Sequence, residues 1–228
     1  MKLFLTCEHA SNALPLEFIS WFKKEKDRLN THEGYDIGAF DVYEVLKDLS
    51  FFNTHYPWSR LLIEVNRSLH HSQLFSNVSK AFDEDMKQRL IFEYYQRYRN
   101  HIQQHINKTI EGKHVVLHVS IHSFTPVLSS VERQAEIGIL YDPHRPKERD
   151  FAKQLQAELK LRLVGYRIRL NYPYLGKSDG FTTSLRKIFP SNYLGIELEI
   201  NQKQLCDEKE KQSIGRALHE AISDLNKN

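Results

Sequence analysis

The stretch HVVLHVSIHS, residues 114–123, carries a strong strand pattern near the middle of the chain. Its β-branched and leucine residues form a short apolar run, which predicts a buried strand over residues 114–121. Similar runs predict further strands on either side of it, over residues 2–7, 61–65, 135–141, 166–170 and 193–200. Because nearly continuous apolar runs are typical of strands covered on both faces, these segments indicate a central sheet buried between helices.

Helical patterns separate these strands. Amphipathic spacing predicts one helix that begins at Pro15 and three more over residues 36–49, 80–111 and 146–163. A terminal helix follows the last strand. The polar stretch 23–34 is expected to be a loop. Strands that alternate with helices predict a sheet with helices on both faces. In such folds functional groups collect at strand ends and in the loops that follow them.

Composition narrows the class of protein. The chain has 228 residues, a length that predicts one large domain over residues 1–228. Its formal net charge is +3. Its charges are scattered, without a run of five like charges, so we expect no nucleic-acid partner. The two cysteines, Cys7 and Cys206, are too few for a disulfide framework. Without a signal-peptide pattern or an apolar run of roughly 20 residues, a cytoplasmic protein without a membrane partner is expected.

Polar clusters stand at the ends of four predicted strands. They are CEHASN at residues 7–12, NRS at 66–68, HVSIHS at 118–123 and ELEIN at 197–201. Histidine nitrogens and carboxylate oxygens are what a catalytic zinc needs, with three protein ligands and one position left for water. A further carboxylate, not bound to the metal, then serves as the base. The sequence therefore supplies the groups that a catalytic zinc site needs, and Zn²⁺ is the expected cofactor.

The period of two along a strand limits the choice of residues within two of these clusters. His118 and His122 would share a face, so both could be ligands, or His118 is buried and hydrogen-bonded while His122 meets the metal. Glu197 and Glu199 also share a face. Glu199 is the better candidate for the base because it lies nearer the strand end, although it could instead be the partner of a buried arginine.

Several other residues allow two interpretations. Arg67 directly follows a predicted buried strand, and its planar guanidinium suits a substrate carboxylate, but an internal ion pair with Glu64 or Asp36 is the alternative. Arg60 has the same two interpretations. His71 could line a pocket or stabilise an oxyanion, or it could lie in a loop. Asp36 opens a predicted helix, where a carboxylate can also be only a cap.

Two further histidine and cysteine arrangements favour structural roles. His101 and His105 lie four residues apart on a helix, a spacing that could bind metal, but the surrounding pattern is that of a solvated surface. Cys7 lies two residues from His9, which suggests a cysteine nucleophile. Because Cys7 belongs to the buried part of its strand, and buried cysteines are usually inert, we do not expect it to react.

Six motifs follow one another in order over nearly the whole chain: TCEHASNALP at 6–15, YDIGA at 35–39, SRLLIEVNRS at 59–68, HVSIHSFTP at 118–126, NYPY at 171–174 and EINQ at 199–202. In this order they resemble the N-formylglutamate amidohydrolase family. The resemblance implies an α/β protein, a three-layer α/β/α sandwich with a mixed central sheet. It also implies a likeness to zinc carboxypeptidases and zinc N-acetylmuramoyl-alanine amidases.

The resemblance also implies roles for individual residues. His9 and His122 match the two metal-binding histidines, and Glu199 matches the catalytic base. Asp36 is the expected middle metal ligand, with Glu33 and Glu8 as reserves. Arg67 is expected to be a catalytic residue together with Glu199, and the substrate-binding residues are expected to be Arg60, Asn66, His71, Asn171 and Tyr174. Asn171 and Tyr174 could equally form a turn, because Pro173 restricts the residue before it.

The expected function is cleavage of the amide bond of a small N-acyl amino acid, such as N-formyl-L-glutamate, into formate and glutamate. An amidase acting on peptidoglycan fragments or short peptides is the alternative with the same site. A non-catalytic protein that binds a small acid is the alternative of a different class, and the presence of Glu199 favours an enzyme over it. The sequence leaves the acyl group, the amino acid, the native metal and the oligomeric state open.

Overall fold

A mixed six-stranded sheet forms the centre of the computed structural model, which describes residues 1–227. Asn228, the last residue of the single domain predicted over 1–228, lies outside the described residues. The strands are β1 (Lys2–Cys7), β2 (Phe52–His55), β3 (Val116–Phe124), β4 (Val127–Leu128), β5 (Val131–Glu132), β6 (Ile137–Leu140), β7 (Ile168–Leu170) and β8 (Tyr193–Asn201).

The central sheet has the order β2-β1-β3-β8-β6-β7, and β4 and β5 form a separate two-stranded hairpin. Neighbouring strands are parallel except for β6 and β8, which are antiparallel. The carboxyl ends of β1, β3 and β8 therefore lie at the same edge of the sheet. That edge is where the sequence predicted the functional groups.

Helices cover both faces of this sheet, which confirms the predicted three-layer α/β/α sandwich. They are α1 (Lys26–Leu29), α2 (Ala39–Leu46), α3 (Asn77–Lys80), α4 (Glu84–Arg89), α5 (Arg97–Glu111), α6 (Pro146–Arg162), α7 (Phe181–Ile188), α8 (Gln202–Leu205) and α9 (Glu208–Lys227). Short 3₁₀ segments occupy Leu16–Glu25 and Lys47–Leu49, and a π-helical segment, Leu90–Gln96, connects α4 to α5. No helix within residues 1–227 is both long and apolar enough to cross a membrane.

The two faces of the sheet have different cores. Leu117, Val119 and Ile121 of β3 pack with α2, α6 and α9 in one apolar cluster. Val116 of β3 joins a second cluster with residues of α5 and α7. Because side chains alternate along a strand, the polar residues His118, Ser120 and His122 lie on the second face. The predicted sharing of a face by these residues is therefore confirmed.

The prediction of a strand over residues 61–65 is wrong. Leu61, Leu62 and Ile63 are buried in the second core, but their backbone forms turns, with the Leu62 amide donating to the Ser59 carbonyl at 3.0 Å. An apolar run alone cannot distinguish a buried turn from a buried strand. Residues 23–34, expected to be a loop, contain the single-turn helix α1.

Several elements lack a prediction from the sequence. The edge strand β2 has the sequence FNTH, which is not an apolar run, and its residues are only half-buried. The hairpin β4–β5 is exposed on both strands. Helix α7 contains two consecutive threonines, which lower helix propensity in a short segment.

Candidate active site

The candidate site lies at the edge of the sheet where β1, β3 and β8 end. In the register between β3 and β8, His122 stands opposite Glu199 and Ser120 stands opposite Glu197. Because the two strands are parallel, each pair projects from the same face of the sheet. The sequence pattern of β3 and β8 therefore brings a histidine and two carboxylates, more than 70 residues apart in the chain, to one place.

Asp36 is brought to this edge by the turn before α2. Its amide donates to the His9 carbonyl at 2.9 Å, and its own carbonyl accepts from Ala39 at 3.1 Å. Gly38 follows in the left-handed region, with φ of 78°, a conformation that favours glycine. The helix begins only at Ala39, so Asp36 is not a helix cap and its side chain is directed at the histidines.

His9, Asp36 and His122 form a buried cluster with the donor set of a metal site. The Nδ1 atoms of His9 and His122 lie 3.2 Å and 2.9 Å from the same atom, Asp36 Oδ2. One donor atom from each residue lies within 4.8 Å of the others. Two imidazoles and a carboxylate converging from separate elements fit a three-ligand zinc site. The three residues predicted as ligands are therefore brought together.

Two further carboxylates hold the outer nitrogens of these histidines. Glu64 Oε1 lies 2.7 Å from His9 Nε2, and Glu8 Oε2 lies 3.3 Å from His122 Nε2. Ser120 Oγ also lies 2.9 Å from His122 Nε2. A carboxylate on the outer nitrogen fixes the tautomer and the orientation of a metal-binding imidazole. This arrangement leaves both Nδ1 atoms directed at Asp36, and it supports the fit of the site to a metal.

The reserve ligands Glu8 and Glu33 have other positions. Glu8 is fully buried beside Ser120, whose hydroxyl donates to it, and its contact with His122 is on the side away from Asp36. Glu33 is exposed and pairs with Arg28 at 2.6 Å. Of the three acids weighed as the middle ligand, the geometry favours Asp36.

The charges around the histidines keep the neighbouring carboxyl groups ionised. Burial by itself would raise the pKa of Glu8, but the hydrogen bond and charge of His122 lower it to about 2. Burial likewise opposes ionisation of Glu64, but the Arg60 guanidinium and His9 hold the pKa of Glu64 well below its usual range. Ionised carboxylates at both positions are what the orientation of the two imidazoles requires.

Glu199 has a different environment. Its carboxyl forms no hydrogen bond or ion pair with any residue between 1 and 227, and burial raises its pKa to about 8. The charge of His122 acts against burial, those of Asp36 and Glu197 act with it, and the pKa of about 8 is the net result. A buried carboxyl next to a candidate metal site, without a partner, is suited to accept a proton rather than to stabilise the fold.

Glu199 lines a cavity of about 280 Å³. The cluster of His9, Asp36 and His122 lines the same cavity. The size suits a small molecule. The cavity is lined by residues from β3, β6 and β8, from the segments after β1 and before α2, and from the loops around residues 60, 66 and 178: His9, Asp36, Arg60, Asn66, Arg67, His122, Ser123, Leu140, Tyr174, Leu175, Ser178, Asp179, Glu197 and Glu199.

The two arginines of the cavity differ in their partners. Arg60 Nε donates to Glu64 at 2.6 Å, and its Nη1 lies 3.5 Å from Asp36 Oδ1, as in the internal ion pair that was the alternative. Arg67 donates to the carbonyl of Asp179 at 2.6 Å but forms no ion pair with a carboxylate of residues 1–227. Arg67 is therefore the cation that remains available to an anionic ligand.

The other predicted substrate-binding residues divide into two groups. Asn66 and Tyr174 line the cavity. Asn171 does not, because its side chain accepts hydrogen bonds from the amides of Tyr141 and Gly176 and holds a turn. His71 also lies outside the cavity lining, in a loop where its Nδ1 accepts from the Gln73 amide. For Asn171 and His71 the geometry agrees with the structural alternatives, a turn and a loop.

The structural alternatives also hold for two other residues. His118 is buried between the hydroxyls of Thr6, at 2.8 Å, and Tyr193, at 2.7 Å, and does not reach the cavity. Cys7 is buried, and burial raises the pKa of its thiol well above the usual value, which agrees with an inert residue. Neither residue belongs to the site.

Sequence reasoning missed other parts of the site. Glu64 was considered only as an ion-pair partner for Arg67 or Arg60, and Glu197 was set aside in favour of Glu199. The period-two relation between Glu197 and Glu199 was a usable signal, because it places both on one face. Asp179 and Ser178 had no such signal, since their loop reaches the cavity through contacts with residues about 110 positions away.

The outer carboxylate Glu64 gives the first testable prediction. In a Glu64→Gln variant we expect zinc affinity to fall by roughly 10–100-fold, because the amide cannot replace the charge that orients His9. Competition with a chromophoric chelator measures this without an activity assay. Glu44→Gln, which removes an exposed carboxylate that pairs with Lys47, is the control. An unchanged affinity in the Glu64 variant would contradict the orienting role.

Comparison with known proteins identifies the family of the chain. A model of the N-formylglutamate amidohydrolase family matches residues 1–206. None of the curated proteins compared with the chain matches it significantly. A gene product from Agrobacterium tumefaciens has a similar structure, with 26% identity, a TM-score of 0.83, and coverage of 99% of this chain and 92% of the other.

A second similar structure is that of an N-formylglutamate amidohydrolase from Ralstonia eutropha. It has 15% identity and a TM-score of 0.71, again covering 99% of this chain and 92% of that one, and it supports the fold. The family match covers most of the chain and includes every residue of the candidate site. The chain therefore belongs to the N-formylglutamate amidohydrolase family, a family of hydrolases that act on carbon–nitrogen amide bonds.

Proposed function

We propose that the protein is a zinc-dependent amidohydrolase that cleaves the amide bond of a small N-acyl amino acid, such as N-formyl-L-glutamate. The observation that carries the proposal is the position of Glu199, a buried carboxyl without a partner beside the cluster of His9, Asp36 and His122. A protein that only binds a small acid would need the cavity, with or without a metal. It would not need a buried carboxyl without a partner in the wall of that cavity.

Each part of the site has a role in this reaction. A zinc ion held by His9, Asp36 and His122 would acidify a water molecule and polarise the amide carbonyl. Glu199 accepts the proton of the attacking water and returns it to the departing nitrogen. Because Glu199 forms no hydrogen bond within residues 1–227, its carboxylate is free to change partners between these two transfers.

Arg67 is proposed to hold the carboxylate of the substrate. Its guanidinium lines the cavity and lacks a carboxylate partner. We expect Arg67→Gln to raise KM by roughly 10–100-fold, since hydrogen bonds to charged groups contribute about 1.5–3 kcal/mol. Steady-state kinetics measure the change, and circular dichroism checks the fold. Arg97→Gln, at an exposed arginine outside the cavity lining, is the control. An unchanged KM would remove Arg67 from this role.

The function itself is tested with purified, zinc-loaded protein. The substrates are N-formyl amino acids, N-acetyl amino acids and a muramyl peptide, and release of the amine is measured. Turnover of the simple N-acyl amino acids, lost on treatment with a chelator and restored by zinc, is the expected result. Turnover of the muramyl peptide alone would replace the proposal with an amidase acting on wall fragments. Tight binding without turnover on the whole panel would indicate a sensor.

A further inference from the structure

We infer that Tyr95 and Arg99 are positioning residues, which hold the backbone of Arg67 so that its guanidinium stays in the cavity wall and can receive the carboxylate of the substrate. This inference rests on the proposed function and deepens it. Neither Tyr95 nor Arg99 lines the cavity. Each would therefore act on the substrate only through Arg67.

Arg99 is a cation that the proposed mechanism does not otherwise use. It lies on α5, is half-buried, and forms no ion pair with a carboxylate of residues 1–227. Its Nη1 donates to two carbonyls of the loop after the buried turn, that of Val65 at 2.9 Å and that of Arg67 at 3.1 Å. Because a charge withdrawn from water needs hydrogen-bond partners, these carbonyls fix where the Arg99 guanidinium lies.

Two aromatic rings confine the same guanidinium. The Cζ atom of Arg99 lies 4.8 Å from the ring centre of Tyr95 and 4.4 Å from that of Phe181. At such distances a cation is attracted to the face of an aromatic ring. Phe181 is the first residue of α7, which follows another loop of the cavity. Arg99 therefore stands where α5 meets two loops that carry cavity residues.

Tyr95 holds the same carbonyl as Arg99. Its hydroxyl donates to the Arg67 carbonyl at 2.7 Å, so this one oxygen accepts from both side chains. A carbonyl oxygen has two lone pairs, and the two donors account for both. Tyr95 belongs to the π-helical segment Leu90–Gln96, a rare form of helix that occurs frequently at functional sites.

The opposite side of the loop is held by the segment before α7. The Asn66 side chain accepts from the Phe181 amide at 2.8 Å, and the Ser68 amide donates to the Asp179 carboxylate at 3.0 Å. The Arg67 guanidinium donates to the carbonyl of Asp179 at 2.6 Å. The loop is thus fixed from both sides, and its helical side depends on Tyr95 and Arg99.

The hydrogen bonds of Tyr95 and Arg99 reach the loop backbone and not the metal cluster. Their loss should therefore weaken the hold of Arg67 on the substrate and leave the zinc ligands and Glu199 in place. In kinetic terms, KM should rise while kcat changes little, the pattern of an interaction that is equal in the ground state and the transition state. A residue that only stabilised the fold would instead reduce the amount of active protein, and with it the apparent kcat.

The test measures hydrolysis of N-formyl-L-glutamate by zinc-loaded protein. Arg99→Lys keeps the charge but not the planar guanidinium, and Tyr95→Phe keeps the ring but not the hydroxyl. We expect each to raise KM by roughly 3–10-fold, with kcat within about twofold of the wild type. The matched controls are Arg97→Lys, at an exposed position of α5, and Tyr94→Phe, whose hydroxyl donates to Glu17. Both controls should retain the wild-type constants.

A double-mutant cycle with Arg67→Gln distinguishes positioning from an independent effect. If Arg99 acts only through Arg67, adding Arg99→Lys to the Arg67→Gln protein should raise KM no further, whereas independent effects would multiply. Multiplied effects, or an unchanged KM in Arg99→Lys, would overturn the inference and leave the proposed function intact. A fall in kcat at constant KM would do the same.

Calorimetric titration makes the inference independent of turnover. N-formyl-L-glutamate is titrated into zinc-loaded Glu199→Gln protein, with and without Arg99→Lys and Arg67→Gln. Weaker binding with Arg99→Lys, without further loss when Arg67→Gln is also present, supports the inference. If that result is found and the wild-type protein hydrolyses no N-acyl amino acid, the proposed function alone is overturned. Binding that does not depend on Arg99, or no binding to any of the proteins, would overturn the inference.

Discussion

A Glu199→Gln variant is expected to bind zinc like the wild-type protein and to lose activity by roughly 10²–10⁴-fold, the range that a positioned acid–base group contributes. The glutamine keeps the shape of the side chain, but it can neither accept the proton of water nor return it to nitrogen. Since Glu199 forms no hydrogen bond within residues 1–227, no structural contact is lost with the charge. The loss should therefore appear in kcat.

Two measurements separate the role of Glu199 as a base from a structural role. Zinc content by atomic absorption and thermal unfolding should match the wild type, because the substitution removes a buried acid rather than a packed group. The variant Glu111→Gln, on the outside of the molecule, should retain full activity. A Glu199→Gln protein that keeps more than a tenth of the wild-type kcat would show that another group accepts the proton.

An Asp36→Ala variant is expected to lose both its zinc and its activity. Asp36 Oδ2 is the atom on which the two Nδ1 atoms converge, and it also accepts from the Ser123 amide at 3.2 Å. Without this carboxylate only two donors remain, so zinc affinity should fall by more than the roughly 10–100-fold that loss of an outer carboxylate causes. Titration with zinc against a chelator gives the affinity directly.

Glu33 provides a matched control for this prediction. It is an acid from the same stretch of sequence and was a reserve for the same role, but it lies on the surface with Arg28. A Glu33→Gln protein should therefore retain both zinc and turnover. Should Asp36→Ala keep its zinc while Glu33→Gln loses it, the middle ligand would have been assigned to the wrong acid.

The sequence predicted the parts of the fold that have a local signal. The run around Val119 and Ile121 and the run before Ile200 form central strands, because both are buried on both faces. The run at residues 61–65 is equally apolar but forms turns, since no neighbouring strand pairs with it. Whether a buried apolar segment finds a strand partner depends on distant parts of the chain, and a local pattern does not contain that information.

The candidate site divides in the same way. His9, His122 and Glu199 stand at strand ends, where period and position point to them. The contact between Glu64 and His9 joins residues 55 positions apart, and that between Glu8 and His122 depends on the pairing of β1 with β3. These contacts between distant residues form only when the sheet has formed. The sequence could propose the ligands, but it could not propose the carboxylates that orient them.

The position of β8 has a consequence for how the protein is made. The candidate metal ligands His9, Asp36 and His122, and the carboxylates that contact the histidines, all precede Phe124, the last residue of β3. Glu199, the proposed base, follows on β8, the last strand. A nascent chain that has not yet reached residue 193 therefore contains all the proposed metal ligands but not the proposed base. If the cluster binds a metal, its capture can contribute free energy to early folding, whereas the proposed base reaches the cluster only when β8 inserts between β3 and β6.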